Sequence, residues 1–414
     1  MKAVVIGGGI IGLSSAYYLL REGFEVTVVD RTDLSDNCSL GNLGMIVPSH
    51  FVPLAAPGIV SQGIRWMFDA KSPFYVKPSL NLSLIKWGLK FIRSANEKNV
   101  NHAAPYLRDL NLLSKKLYED LATQPGFDFA LEKKGIIMYY KTEKVAEEEI
   151  HLAETARSMG LDVVVRSKEE LQQIEPGAAI NAIGGVHYQC DAHLSPDKLN
   201  AQLISYLKNN GVIFHTGAKV NRIVVENNTI KNVIAGSSEI RGDVFVMAAG
   251  SWMPELMKLA GIDLSLVPGK GYSFTIDNPV KKLNVPAILC EARVAITPMG
   301  GRMRYGGTME INAINQQVNM KRVQGIVESV ADYLPGLDLE MPAKEDVWYG
   351  FRPCSPDGLP YIGYGNKIKN MLYAGGHAMM GLSLGPATGK LIAELATNRA
   401  PSVKTDAFYP ERFM

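Results

Sequence analysis

Apolar and polar positions along this chain follow two periods, and the first thirty residues show both. Val4, Val5 and Ile6 form a short apolar run that ends in Gly7, Gly8 and Gly9. An uncharged stretch then continues past Gly12 to Leu20. The segment "KAVVIGGGIIGLSSAYYLLREGFEVTVVDR" predicts a strand, a tight turn, a helix from Ile10, a stop at Gly23 and a second buried strand, "FEVTVVD". Strand, helix and strand within about 30 residues make a βαβ unit and imply a parallel sheet. The uncharged run has the length of a signal peptide or a membrane span. Its glycines, and the lack of a small-residue cleavage site before Arg21-Glu22, fit strand, turn and buried helix instead. No other stretch is long and apolar enough to span a bilayer.

From about residue 60 to 190 helical segments mix with strand-like pieces such as "GIIMYYKT" (Gly135–Thr142). "LSPDKLNAQLISYLKNNG" predicts a helix with Ser195 as N-cap, Pro196 in the first turn, and Leu199, Leu203, Ile204 and Leu207 on the buried face. Short strands follow in "GVIFHT", "KVNRIVVE", "TIKNVIA" and "DVFVMAAG". Residues 262–342 read as strand-rich, a turn-rich arginine loop comes next, and "GPATGKLIAELATNR" closes the chain as a helix. The chain has no internal repeat, low-complexity segment or long linker.

A length of 414 residues exceeds one ordinary core and predicts two domains, or two interleaved ones. The 43 basic and 41 acidic residues leave a net charge of +2, which gives no electrostatic case for nucleic-acid binding. Cys38, Cys190, Cys290 and Cys354 are scattered, without metal-ligand spacing, and read as free thiols of a reducing cytoplasm.

Five motifs carry candidate chemistry. In "GGGIIGLSSA", Gly7 allows a tight turn, Gly9 a close approach of backbone to a pyrophosphate, and Gly12 and Ala16 close packing of helix on sheet. The helix N-terminus offers free N–H groups to phosphate. Asp30 ends the second strand, where a carboxylate can bond ribose hydroxyls. This pattern predicts dinucleotide binding and does not choose between NAD and FAD. "GDVFVMAAGSW" runs a buried strand into small residues at Ala249 and Gly250, next to Trp252, and suits a second nucleotide contact. "CSLGNLGMIVPS" exposes backbone N–H groups around Ser39, Asn42, Gly44 and Met45, in a loop that suits either contact with a flavin ring or an ordinary surface turn. "YAGGHAMMGLSLGPATGKL" brings Gly376, His377, Gly381 and Leu382 before a helix that starts at Pro386 and points positive charge at what precedes it. Finally, "GFRPCSPDGLPYIG" puts Arg352 before Pro353, which holds the arginine extended.

Taken in order, these strings resemble the FAD-dependent D-amino-acid oxidase superfamily, and within it the bacterial D-amino-acid dehydrogenase branch. "NLGMIVPSHFVPLAAPGIVSQGIRWMF", "LVPGKGYSFTI", "VAITPMGGRMRYGGTMEI" and "GFRPCSPDGLPYIG" extend the resemblance over nearly the whole chain. It implies an α/β fold, α+β overall: a glutathione-reductase-type FAD-binding domain built from discontinuous segments, and a substrate domain of the D-amino-acid oxidase type with a mixed or antiparallel sheet. The expected division is 1–60, 190–262 and 345–414 for FAD, and 61–189 and 263–344 for substrate. The expected cofactor contacts are Gly7, Gly9, Ile10, Ile11, Gly12, Asp30, Arg31, Ser39, Asn42, Gly44, Met45, Val220, Ala249, Gly250, Trp252, Gly376, His377, Gly381 and Leu382.

The family's chemistry is oxidation of an amine next to a carboxylate, with hydride passing to flavin N5. The imine then hydrolyses to a 2-oxo acid and ammonia, or persists as a cyclic imine for proline-like substrates. Arg352 matches the arginine that binds the substrate carboxylate in relatives, and its planar fork suits two carboxylate oxygens. Oxidase relatives add a tyrosine, but the matching strand here has Ala295, and Tyr272 is the expected second anchor. Relatives with covalent flavin carry a cysteine near the position of Gly350, so non-covalent FAD is expected. His193 reads as an exposed loop histidine or, alternatively, one that shapes the pocket, His377 as a flavin contact, and no residue stands out as an obligatory general base.

The segment 64–95 interleaves Trp66, Phe68, Phe74, Tyr75, Trp87 and Phe91 with Arg65, Lys71, Lys77, Lys86, Lys90 and Arg93. That pattern suits either an interfacial helix on anionic lipid, near a membrane quinone, or a substrate lid with a solvated basic face. Three other activities share parts of the pattern: an O2-using glycine or sarcosine oxidase, a non-redox binding protein on the flavin fold, and a plain NAD dehydrogenase.

Overall fold

The computed structural model describes residues 1–66, 71–77 and 81–414, with side chains given for all of these except 65 and 66. The opening βαβ unit is strand Lys2–Ile6, helix Ile10–Arg21 and strand Glu25–Val29, the two strands parallel. The apolar helix forms because Leu13, Ala16 and Leu19 are sealed in the core. Around this unit grows a six-stranded sheet in the order Tyr361–Tyr364, Met371–Gly375, Val244–Met247, Lys2–Ile6, Glu25–Val29, Ile213–His215. Only the pairing of Tyr361–Tyr364 with Met371–Gly375 is antiparallel. Pieces of chain far apart in sequence therefore meet edge to edge.

A second, nine-stranded sheet forms a roof. Its main path runs Trp348–Cys354, Val267–Asp277, Arg302–Ile311, Val294–Met299, Ala287–Leu289, Ile136–Tyr140, Gly184–Tyr188, Val163–Ser167, with Phe74–Val76 added beside Arg302–Ile311. Most of its pairs are antiparallel, and two are parallel. One face packs on helix Met320–Tyr333 through Tyr272, Phe274, Tyr305, Val323, Ile326 and Val330. The other faces the six-stranded sheet across a cavity.

Three expectations change. The stretch that read as strand-rich also contains helix Met320–Tyr333, whose buried Val323, Ile326, Val327 and Val330 have helical spacing. The arginine loop is a strand, Trp348–Cys354, paired along its length with Val267–Ser273. His193 is buried rather than exposed, because Ala192–His193 pairs with Met45–Ile46 and draws its ring into the protein. Ser195 does stand at the N-cap of Pro196–Asn209, but its hydroxyl donates to Asp197 instead of capping a backbone N–H. All four cysteines are free thiols. Among the described residues no helix is long and apolar enough to cross a membrane.

Candidate active site

A continuous cavity of about 1050 Å³ lies between the two sheets. Its floor is the glycine turn. Gly7 has φ +116°, and a Cβ there would lie 2.4 Å from the Ala248 carbonyl oxygen. A Cβ on Gly12 would lie 1.8 Å from the Gly7 carbonyl oxygen, so only glycine lets helix and turn close. The N-cap residue Gly9 supplies no side-chain hydrogen bond, leaving first-turn N–H groups to partners from elsewhere. Ser39 accepts from the Ile10 N–H at 3.0 Å. Asp30 accepts from the Gly8 N–H at 2.6 Å and from the Thr32 N–H and hydroxyl. Arg31 lies 3.8 Å above the Trp252 ring and walls one end.

The loop after Asp30 is held to the roof by long-range bonds. Arg304 donates to the carbonyls of Leu40 at 2.8 Å and Asn42 at 2.6 Å, and to the Thr275 hydroxyl. Burial pulls its pKa down to about 10. Ser273 donates to the Gly41 carbonyl at 2.7 Å. Further on, Val47 N–H donates to Ser383, tying this strand to the approach of the last helix. His377 is sealed, bonded through Nε2 to Thr388 at 2.9 Å, and burial lowers its pKa to about 3. Its Nδ1 has no partner among the described residues.

All the expected cofactor contacts line this cavity except Gly12, Gly44 and Gly376. Those three are packing positions, where a Cβ would meet the Gly7 carbonyl, the Leu194 carbonyl and the Tyr361 ring. The cavity is large enough for a dinucleotide, and its glycine floor and donor groups fit the phosphates of one.

Arg352 hangs from the edge strand of the roof. Gly271, two residues along the neighbouring strand from its register partner Gly269, leaves it room: a Cβ there would sit 2.3 Å from the guanidinium. Arg352 donates through Nη1 to the Thr308 carbonyl at 2.5 Å. Thr308 has φ +64°, a left-handed backbone that turns this carbonyl toward the arginine. Among the described residues no carboxylate pairs with Arg352, and burial lowers its pKa. The wall thus presents a desolvated cation with unspent donors.

Tyr272 also borders the cavity, but its hydroxyl is committed to other partners. Successive strand residues point to opposite faces, so with Gly271 under the arginine the Tyr272 ring enters the core against helix Met320–Tyr333. Its hydroxyl donates to Glu310 at 2.8 Å and accepts from the Asn319 N–H. Burial and Glu310 raise its pKa. Ala295 does line the cavity. Gly350 lies against Trp348, where a Cβ would be 2.1 Å from the indole.

The structure adds residues that the motifs did not single out. Cys38 lines the cavity and accepts from the Phe351 N–H at 3.3 Å. Ser49, His50 and Arg293 line it as well, and buried Asp191 stands behind Ser49. Nothing in the spacing of Ser49 and Asp191 announces a pair. Among the described residues no group of His, Cys, Asp and Glu is placed to hold a metal ion.

Residues 2–395 match the family described as FAD dependent oxidoreductase, DAO. A D-amino acid dehydrogenase of Helicobacter pylori is 30% identical over 406 residues, covering 98% of this chain and 97% of its own. Another, of Methylobacterium radiotolerans, is 31% identical over 421 residues, covering 98% of each chain. Among solved structures, glycine oxidase from Geobacillus kaustophilus superposes with a TM-score of 0.80 at 22% identity, covering 100% of this chain and 99% of its own. L-proline dehydrogenase from P. horikoshii gives 0.74 at 20% identity, covering 100% and 97%. These structural likenesses show a shared fold.

Proposed function

Because the chain belongs to the DAO family of FAD-dependent oxidoreductases, we propose that it oxidises D-amino acids, with D-proline and D-hydroxyproline as the leading candidates. The D-amino acid dehydrogenases that resemble it over 98% of its length support the substrate class. Arg352 is the observation that carries the reading. A half-buried guanidinium without an acid partner among the described residues, on the wall of a cavity floored by a dinucleotide turn, calls for an anionic ligand.

FAD, when bound, supplies the two-electron acceptor for the α-hydride. The protein's part is positioning. The turn Gly7–Gly12 and Asp30 would hold the nucleotide half, Arg31, Val220 and Trp252 its far end, and the segments 39–45 and 376–382 the ring. Arg352 would fix the carboxylate, so that the α-carbon faces the ring, and orientation of this kind lowers barriers substantially. Tyr272 is set aside as the second anchor. With glycine at 350 the flavin is held without a bond from that position. The discontinuous division into 1–60, 190–262 and 345–414 against 61–189 and 263–344 is part of the same reading.

A membrane quinone is the proposed acceptor. Helix Leu82–Ser94 exposes Leu82 (71%), Ile85 (44%), Leu89 (54%) and Ile92 (56%) along one stripe, beside the exposed Lys86 and Arg93. Trp87, on its inner side, donates to the Cys354 carbonyl at 2.9 Å and ties this helix to the arginine strand. Of the basic-aromatic segment, Phe68 lies outside the described residues. An apolar stripe flanked by cations suits an anionic bilayer. Flotation with anionic vesicles tests this, and binding unaffected by Leu89→Glu would count against the stripe.

The substrate reading is tested by adding D- and L-amino acids, glycine and sarcosine singly to the purified protein without oxygen. Bleaching of a yellow protein by D-amino acids is expected. Reduction only by glycine or sarcosine, followed by fast reoxidation in air, would replace the reading with an oxidase. A colourless protein would overturn it.

A further inference from the structure

The cavity contains a hydrogen-bonded set of titratable groups that carboxylate binding leaves unused. His50 lines the cavity, and its Nδ1 lies 2.9 Å from the Ser49 hydroxyl. Ser49 in turn donates to Asp191 Oδ2 at 2.5 Å, while its N–H donates to Oδ1 at 2.9 Å. Asp191 is fully buried, and among the described residues only Ser49 and the Cys190 thiol, at 3.5 Å, hydrogen-bond its carboxyl. His50 Nε2 makes no hydrogen bond among the described residues and is not sealed off from the cavity. We propose that His50, Ser49 and Asp191 form a relay that takes the proton from the substrate's ammonium group, with His50 as the accepting base and Asp191 as the buried terminus. The proposal rests on the amino-acid reading above.

The chemistry supplies the need. An amino acid arrives as an ammonium ion, whose nitrogen has no lone pair to assist departure of the α-hydride. Loss of one N–H proton frees that pair. Nε2 then gains the proton, the Nδ1 proton passes to Ser49 Oγ, and the Ser49 proton passes to Asp191. One N–H bond of substrate breaks, one O–H bond forms on Asp191, and no electrons are transferred in this step. The α-hydrogen leaves separately with two electrons to FAD, giving the iminium ion. The proton goes to solvent after product departs.

Each end of the relay is matched to its task. Burial, and Arg293 across the cavity, push His50 down to about 4, so the imidazole is neutral but resists holding a charge. Passing the proton onward avoids that charge. Burial pushes Asp191 up to about 7, with the Ser49 bonds pulling the other way, so it accepts a proton near neutrality. The other charged or titratable groups around the set are Glu148 and Glu149 on helix Glu143–Ser158, Tyr188, Cys190 and Lys115. Among the described residues no cation is within ion-pair distance of Asp191.

The test is anaerobic flavin reduction across pH in the FAD-loaded wild type, His50→Gln and Asp191→Asn, using the amino acid that bleaches wild type fastest. At pH 7, His50→Gln is expected to fall ~100-fold in reduction rate, with its pH limb moved up toward that of the free amine. Asp191→Asn should fall about tenfold and move the same limb, though it does not touch substrate. Independently, ¹⁵N NMR of the wild-type protein should find His50 as the Nδ1–H tautomer at pH 7. A wild-type pH limb in both FAD-loaded variants, or an Nε2–H tautomer at His50, overturns the relay. Failure of every amino acid to reduce wild type would instead overturn the substrate reading, and the tautomer would still decide the relay.

Discussion

Replacing Arg352 with alanine should separate cofactor binding from substrate binding. An arginine carries five N–H donors. One of these is committed to the Thr308 carbonyl at 2.5 Å. The remainder can still present a fork to a carboxylate. Two charge-assisted hydrogen bonds are worth about 1.5–3 kcal/mol each, and every 1.36 kcal/mol is tenfold. The expected loss in kcat/KM is therefore ~10³-fold for Arg352→Ala. Arg352→Lys keeps the charge, loses the fork, and should fall in between. Stability should move little. The variant leaves the Thr308 carbonyl without its donor, but it also removes a desolvated cation that has no acid partner. The assay is anaerobic reduction by a D-amino acid at increasing concentration, with the visible spectrum and Tm recorded in parallel. An alanine variant that retains FAD and is reduced within about threefold of the wild-type rate would refute the carboxylate role on these energetics.

The other predictions are shorter. Gly12→Ala places a Cβ 1.8 Å from the Gly7 carbonyl oxygen, so it should yield colourless protein and lose ~2–3 kcal/mol of stability, read by urea titration. Arg304→Met frees the carbonyls of Leu40 and Asn42 and should weaken FAD retention during dialysis, with substrate affinity of the loaded fraction unchanged. Burial lowers the folded-state pKa of His50 and His193 to about 4 and of His377 to about 3. Unfolded histidine titrates near 6.5, so below that pH the unfolded chain binds the extra protons and stability falls as pH falls toward 4. Asp191, raised to about 7, acts in the opposite sense between its unfolded value and 7. The histidines outnumber it, and His193→Leu should flatten the fall by ~1.4 kcal/mol per pH unit; an unchanged slope in urea midpoints between pH 5 and 6.5 would contradict this.

Local chemistry made part of the candidate site readable from sequence. Gly7, Gly12 and Asp30 announce themselves because strand, turn and helix are consecutive, and Arg352 because Pro353 restricts it. What escaped depends on pairings across long separations. Arg304 reaches Leu40 and Asn42 over more than 260 residues, and Asp191 meets Ser49 over 142. His193 read as exposed because a two-residue strand has no periodicity to detect. Tyr272 read as an anchor because "GKGYSF" does not say which strand face the ring takes. A register shift between Lys270 and Tyr272 adds to that ambiguity. Helix Met320–Tyr333 had helical spacing in plain view, but it lies inside a run of strand-like strings that set the expectation.

Donor accounting explains why these arginines have different work. Arg304 spends its bonds on Thr275, Leu40 and Asn42, so its cation is consumed in fixing a loop. Arg322 is paired with Glu310, and Arg412 with Asp357, so both are neutralised within the protein. Among the described residues the Arg352 side chain makes one hydrogen bond, to a carbonyl whose own residue is held in a left-handed conformation to offer it. Strain of that kind costs about 1–3 kcal/mol and persists only where the surroundings enforce it. Here it aims the guanidinium without neutralising it. A carboxylate entering the cavity would complete the pairing that the fold leaves open, which makes ligand binding and the charge balance of the roof sheet one and the same event.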